Sequence, residues 1–189
     1  MTKKFRIQKK FEVHNGSTTS GEHRWLRQPD ANSCGYYLIH NAHLYLEIPN
    51  YEGSSEGVFE AVNNLRRQNS EEPLPRDRNL PSPDLARYFS NKGFHVNQLS
   101  NPHFDTGTID DTLATQDFGL IYLSSHGHYT GIVKDQDRLL YLDSLTNGPS
   151  VISTDEARNR LIGSLGQESG GRYNIVGIVE RPQKTFRIM

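Results

Sequence analysis

The chain has 189 residues, 34% of them apolar, with a single cysteine and a formal net charge of −1. That length suits one domain with a core of its own and leaves little for a second. A near balance of 21 basic and 22 acidic residues gives no whole-molecule attraction to nucleic acid or anionic membrane, and a lone cysteine excludes an internal disulfide.

No apolar run approaches the length of a membrane span, and the N-terminus carries no hydrophobic signal segment, so the expected compartment is cytoplasmic. Residues 1–21 are polar and end in a Gly/Ser/Thr-rich run, which predicts a flexible arm with a short strand near 5–13. Its lysines, Lys3, Lys4, Lys9 and Lys10, read as a solvated terminus. Residues 22–189 then form one domain. The spacing of Leu38, Ile39, Ala42 and Leu46 predicts a helix over 34–47, closed by Pro49. Val58, Phe59, Val62 and Leu65 mark a second helix over 54–68. The segment 69–81, with Pro73, Pro75 and Pro81, reads as a loop flanking the site. Ser82 and Pro83 open a short helix as cap and first position, with Gly93 after its end.

From there the apolar period changes, and strands are predicted at 94–99, 118–123, 129–134, 139–143 and 174–180. Asp135, Gln136 and Asp137 make a hairpin turn between the third and fourth. Ser153 and Glu156 form a capping-box pattern heading a helix that ends near Gly166. Helices first, then a mostly antiparallel sheet with one late helix, is an α+β order.

Chemistry is concentrated at the boundaries of these elements. Polar turn residues from Gln28 run into Cys34, and an apolar helix follows at once. A cysteine at a helix N-terminus meets free backbone N–H groups and the positive end of the helix dipole, both of which favour thiolate. Gly35 keeps bulk away from an approaching carbonyl, and the Gln28 amide can reach round the turn to a developing oxyanion. Downstream, His128 stands at the start of one strand and Asp143 at the end of the next. The hairpin between them brings the imidazole and the carboxylate together as general base and orienter. His126 is the competing base. It also makes an H-x-H pair with His128, but no third well-spaced ligand follows, so no metal and no cofactor is expected. Trp25, Gly35, Gly127 and Tyr129 flank these positions as candidate substrate contacts. For Trp25 an anchor of the preceding arm is the alternative. His40 and His43, three apart on the Cys34 helix, read as packed or half-exposed side chains, not catalytic ones.

The whole pattern resembles the Josephin domain, a papain-fold group of deubiquitinating cysteine proteases, over about residues 22–180. The resemblance rests on the Gln28 to Cys34 turn and helix, the Asn41-Ala42-His43-Leu44 stretch, and the segment 84–104 with its Asn101-Pro102 turn. It rests most on His128-Tyr129 followed by Leu142-Asp143-Ser144-Leu145 and Gly148-Pro149. It implies a papain-like fold in which a helical lobe packs on an antiparallel sheet. It further implies a Cys34–His128–Asp143 triad with Gln28 in the oxyanion hole, acting as a monomer on ubiquitin or polyubiquitin. Three features depart from the family. Gln28 to Cys34 is one residue longer, Asp143 stands where the best-known members have asparagine, and 51–81 matches poorly. Such divergence suits either a eukaryotic enzyme or a bacterial effector secreted into host cytosol. A second likeness is to proteases of SUMO-type ubiquitin-like modifiers, through the Asn-Ser-Cys-Gly-Tyr-Tyr stretch, although that family carries its histidine and acid before the cysteine. A papain-like effector acyltransferase or deamidase, and a ubiquitin-binding module without activity, complete the alternatives.

Overall fold

A computed structural model describes residues 24–100, 106–165, 168–169 and 172–181. The predicted arm and its strand, the Asn101-Pro102 turn and Gly166 lie outside these residues. Five helices and eight strands are described: α1 Cys34–Leu46, α2 Ser55–Gln68, α3 Ser82–Asn91, β1 His95–Ser100, α4 Gly107–Thr115, β2 Leu120–Ser125, β3 His128–Asp135, β4 Arg138–Asp143, β5 Ser150–Ile152, α5 Thr154–Ser164, β6 Glu168–Ser169, β7 Arg172–Tyr173 and β8 Ile175–Glu180. The architecture is α+β.

Six strands form one antiparallel sheet in the order β1-β8-β2-β3-β4-β5, and β6 and β7 pair separately. Successive residues of a strand point to opposite faces, and in β2 both sets are buried: Leu120 and Tyr122 on one side, Ile121 and Leu123 on the other. The first side joins Leu38, Val58, Leu85 and Phe89 of α1, α2 and α3 in one cluster, and the second joins Ile109, Leu113, Ala157 and Leu161 of α4 and α5 in another. The sheet is therefore covered on both faces. The helical lobe expected to pack on the sheet is thus joined by a second helical layer on the opposite face.

α2 begins as its sequence dictates, because the Ser54 side chain accepts a hydrogen bond from the Gly57 N–H. α5 does likewise, with Ser153 accepting from Glu156 N–H. α3 differs. Pro81 holds the cap position, so Ser82 and Pro83 are already helical, and the Ser82 hydroxyl hydrogen-bonds Tyr129 Oη at 2.8 Å. A hydroxyl used in this way ties α3 to the sheet and does not cap the helix. No helix among the described residues is long and apolar enough to cross a membrane.

Candidate active site

The β3–β4 register pairs Thr130 with Asp143. His128, two residues before Thr130, is thus the diagonal neighbour of Asp143 on the same face of the sheet, within reach of a ring and a carboxylate. His128 Nε2 lies 2.9 Å from Asp143 Oδ1. A carboxylate only accepts, so Nε2 carries the proton and Nδ1 is the nitrogen left for a second partner. Cys34, in the first turn of α1, is the second group whose side chain acts on the imidazole. The hydrogen bond to Asp143, followed by the one to Cys34, raises the His128 pKa to about 9 against the opposing effect of burial. For Asp143, burial pushes the pKa up, but hydrogen bonds from His128 and from the Leu145 N–H outweigh it and hold the carboxyl below its ordinary value.

This coupling has a direct pH consequence. The folded pKa of His128 is raised, so its contribution to stability is complete below the unfolded value of about 6.5 and is lost as pH rises through about 9. An NMR titration of the His128 ring is expected to show a midpoint near 9. Asp143→Asn keeps an acceptor but removes the charge, and lowers that midpoint by roughly one unit or more. A wild-type midpoint near the ordinary histidine value contradicts the pairing.

The chain preceding α1 holds this arrangement together. Leu26 exchanges two hydrogen bonds of 2.9 Å with the Asn41 side chain on α1. Trp25 Nε1 donates to the Thr146 carbonyl at 3.0 Å, and the Gln28 N–H donates to the Ser144 carbonyl at 2.9 Å. Residues 25–28 therefore strap the cysteine helix to the loop that follows Asp143. Trp25 is 1% exposed, which gives it the anchor's place and leaves no ring surface for a substrate. Gln28 is also buried. Its Oε1 accepts from Ser144 Oγ and its Nε2 donates to the Asp30 carbonyl at 2.7 Å. One N–H of this amide is engaged there, and the amide has one more to give.

Gly35 is explained by packing. A methyl group at its Cα would lie 2.8 Å from Leu80 Cβ and 3.3 Å from Tyr129 Cδ2. Only glycine allows Leu80 and Tyr129 to close against the start of α1. Tyr129 is buried, its ring edge-on to Tyr122. His126 and Gly127 form the two-residue turn between β2 and β3, with φ of 51° and 75°. Two positive φ values in succession match the twist of a tight hairpin, and glycine takes the second without strain. The turn points the Gly127 carbonyl at Cys34 Sγ, 3.7 Å away. His126 is exposed, with Nδ1 on its neighbour Ser125 Oγ at 2.8 Å, and takes no part in the cluster. His40 is packed as predicted, between Tyr51 Oη and the Arg24 carbonyl.

A cleft of about 590 Å³ opens beside the thiol, lined among others by Asn32, Asp77, Asn79, Ser124, His126 and Gly127. The 69–81 loop forms one wall. Two contributors escaped the sequence reading. Ser144 follows Asp143 in the chain, but its role in clamping Gln28 shows only in three dimensions. Asn79, which faces the thiol, sits in a proline-rich stretch with no period to single it out. No group of side chains able to hold a metal ion occurs among the described residues. No protein-family model matches the chain, and no curated protein matches it in sequence.

Proposed function

We propose that this chain is a papain-like cysteine protease of Josephin type that cleaves peptide or isopeptide bonds at the C-terminus of ubiquitin. The observation that carries the chemistry is the grouping of Cys34, His128 and Asp143, with the imidazole bonded to the carboxylate and its pKa raised by Asp143 first and Cys34 next. The substrate class comes from the family resemblance of the sequence.

Each residue has a defined step. With the Cys34 proton on His128 Nδ1, the sulfur attacks the carbonyl carbon at the end of the substrate tail. Negative charge moves to the carbonyl oxygen. The Cys34 backbone N–H, at the start of a helix, and the second N–H of Gln28 are the donors for that oxygen. His128 returns its proton to the departing lysine amine, the bond to nitrogen breaks, and a thioester remains. Water, activated by His128, attacks the thioester and restores the thiol. Asp143 fixes the ring throughout and stabilises its cationic form. Gly127, whose carbonyl faces the sulfur, is the natural acceptor for an N–H of the incoming chain.

The test is covalent capture. Ubiquitin carrying a C-terminal propargyl group reacts with a correctly placed thiol, and the protein is expected to gain the mass of one ubiquitin at Cys34. Absence of capture, with Cys34 still open to iodoacetamide, rejects ubiquitin as the substrate. Capture by a SUMO-type probe in its place moves the assignment to a ubiquitin-like modifier.

A further inference from the structure

Cys34 is wholly buried, and two groups that line the neighbouring cleft also face its sulfur, the Gly127 carbonyl and the side chain of Asn79. Its Oδ1 faces Sγ at 4.0 Å, and its Nδ2 donates to the Gly127 carbonyl at 3.2 Å. A substrate amide in a cysteine protease has to present the same two groups, a carbonyl beside the sulfur and an N–H to a nearby acceptor. Asn79 offers both from within the chain. We propose that Asn79 is a built-in latch, a substrate-like amide that covers Cys34 and must be displaced before an acyl group can enter. This rests on the reading of Cys34 as nucleophile.

Two physical points support the latch. First, the sulfur is faced by two oxygens that only accept, those of Asn79 and Gly127. They hold the near side of the sulfur, where an entering carbonyl would have to come. Second, the loop is held firmly at its ends and weakly between them. Leu74 is buried and exchanges hydrogen bonds with the Asn63 side chain on α2 at 2.7 and 3.3 Å, while Leu80 is buried against Gly35. Residues 75–78 between them are exposed. There Arg76 reaches Glu56 at 2.6 Å and Glu60 at 3.6 Å, but the arginine is 72% exposed, and ion pairs of that kind contribute little. An entering chain that takes over the Gly127 carbonyl can thus lift Asn79 without unfolding α2 or α3.

The test measures alkylation of Cys34 by iodoacetamide in the full chain at pH 7, read by intact mass. Cys34 is the one cysteine, so labelling reports on it alone. Asn79→Ala removes both cover and acceptor, and the second-order rate is expected to rise by about threefold to tenfold. Asn79→Asp keeps the size but sets a negative charge beside the sulfur, and the rate is expected to fall about tenfold below wild type. The titratable groups that Cys34 acts on, His128, Tyr129 and Tyr36, are the same in all three proteins. Asn79 lies in a loop and is only half-buried, so both variants fold, which melting curves verify. The opposite signs are what the latch demands. If the alanine variant reacts no faster, or the aspartate variant no slower, the latch is rejected. Iodoacetamide needs no acyl substrate, so a failed ubiquitin capture rejects the substrate assignment and leaves this test standing.

Discussion

Replacing Cys34 with alanine is expected to abolish turnover and leave the fold in place. In the proposed mechanism the sulfur forms the acyl bond, and no second cysteine exists to stand in for it. Removing the nucleophile of a catalytic unit costs on the order of ten-thousandfold or more, and what survives comes from binding and oxyanion contacts alone. The structural cost is small. Cys34 is buried among apolar side chains, and alanine is the best helix former. Loss of one buried sulfur is worth about 1 kcal/mol, a shift of a few degrees in melting temperature for a chain of this size. The measurement is release of a fluorophore from the ubiquitin C-terminus, together with a thermal melt. A variant that keeps more than roughly one part in a hundred of wild-type activity, against the much larger loss expected, shows that another group attacks the carbonyl.

The elements legible in the sequence were those with a strong period or a cap. α1, α2 and α5 emerge within a residue or two of their expected bounds because their apolar residues recur at helical steps and Ser54 and Ser153 mark two of their starts. The β3–β4 hairpin was equally legible. Its turn residue Gln136 takes φ of 57°, and Asp135 pairs with Arg138 as the turn requires. α4 was missed because its buried side chains are only Ile109 and Leu113, among threonines and aspartates that favour turns over helices. β5 was missed because three residues are too few for an alternation to show, and its Val151 is 61% exposed.

The candidate site was legible to the extent that it depends on element boundaries. Cys34 at a helix start and Asp143 at a strand end follow from local pattern, and the register of one hairpin joins Asp143 to His128. The contacts that hold those parts in place are long-range and leave no such trace. Trp25 reaching Thr146, Gln28 reaching Ser144, and Asn79 reaching Gly127 each join stretches remote in the chain. Nothing local distinguishes an asparagine that covers a thiol from one that ends a turn. Gln28 shows the same limit. Its position suggested an oxyanion donor, and the fold adds a clamp between the cysteine turn and the aspartate loop.

The strongest discrimination available lies between the two histidines of one hairpin. His128→Ala is expected to reduce turnover about as severely as loss of the cysteine, again on the order of ten-thousandfold, because residues acting as one unit fail together. Without the ring, the thiol has no acceptor for its proton and the leaving amine no donor. His126 stands two positions earlier, at the other side of a turn, where φ is 51°. Asparagine tolerates that conformation better than alanine and is the cleaner replacement. His126→Asn is expected to keep activity within about threefold of wild type, the scale of a surface substitution that removes one exposed hydrogen bond. Both variants are compared at pH 7, below the His128 pKa of about 9, where the ring of the wild-type protein is largely protonated. The opposite order of damage would mean that the imidazole beyond the turn serves the sulfur. It would then follow that the 2.9 Å contact between His128 and Asp143 is a structural pair. The sheet register is what favours His128 as the proposed base: it sets His128 diagonal to the carboxylate and leaves His126 exposed at the turn.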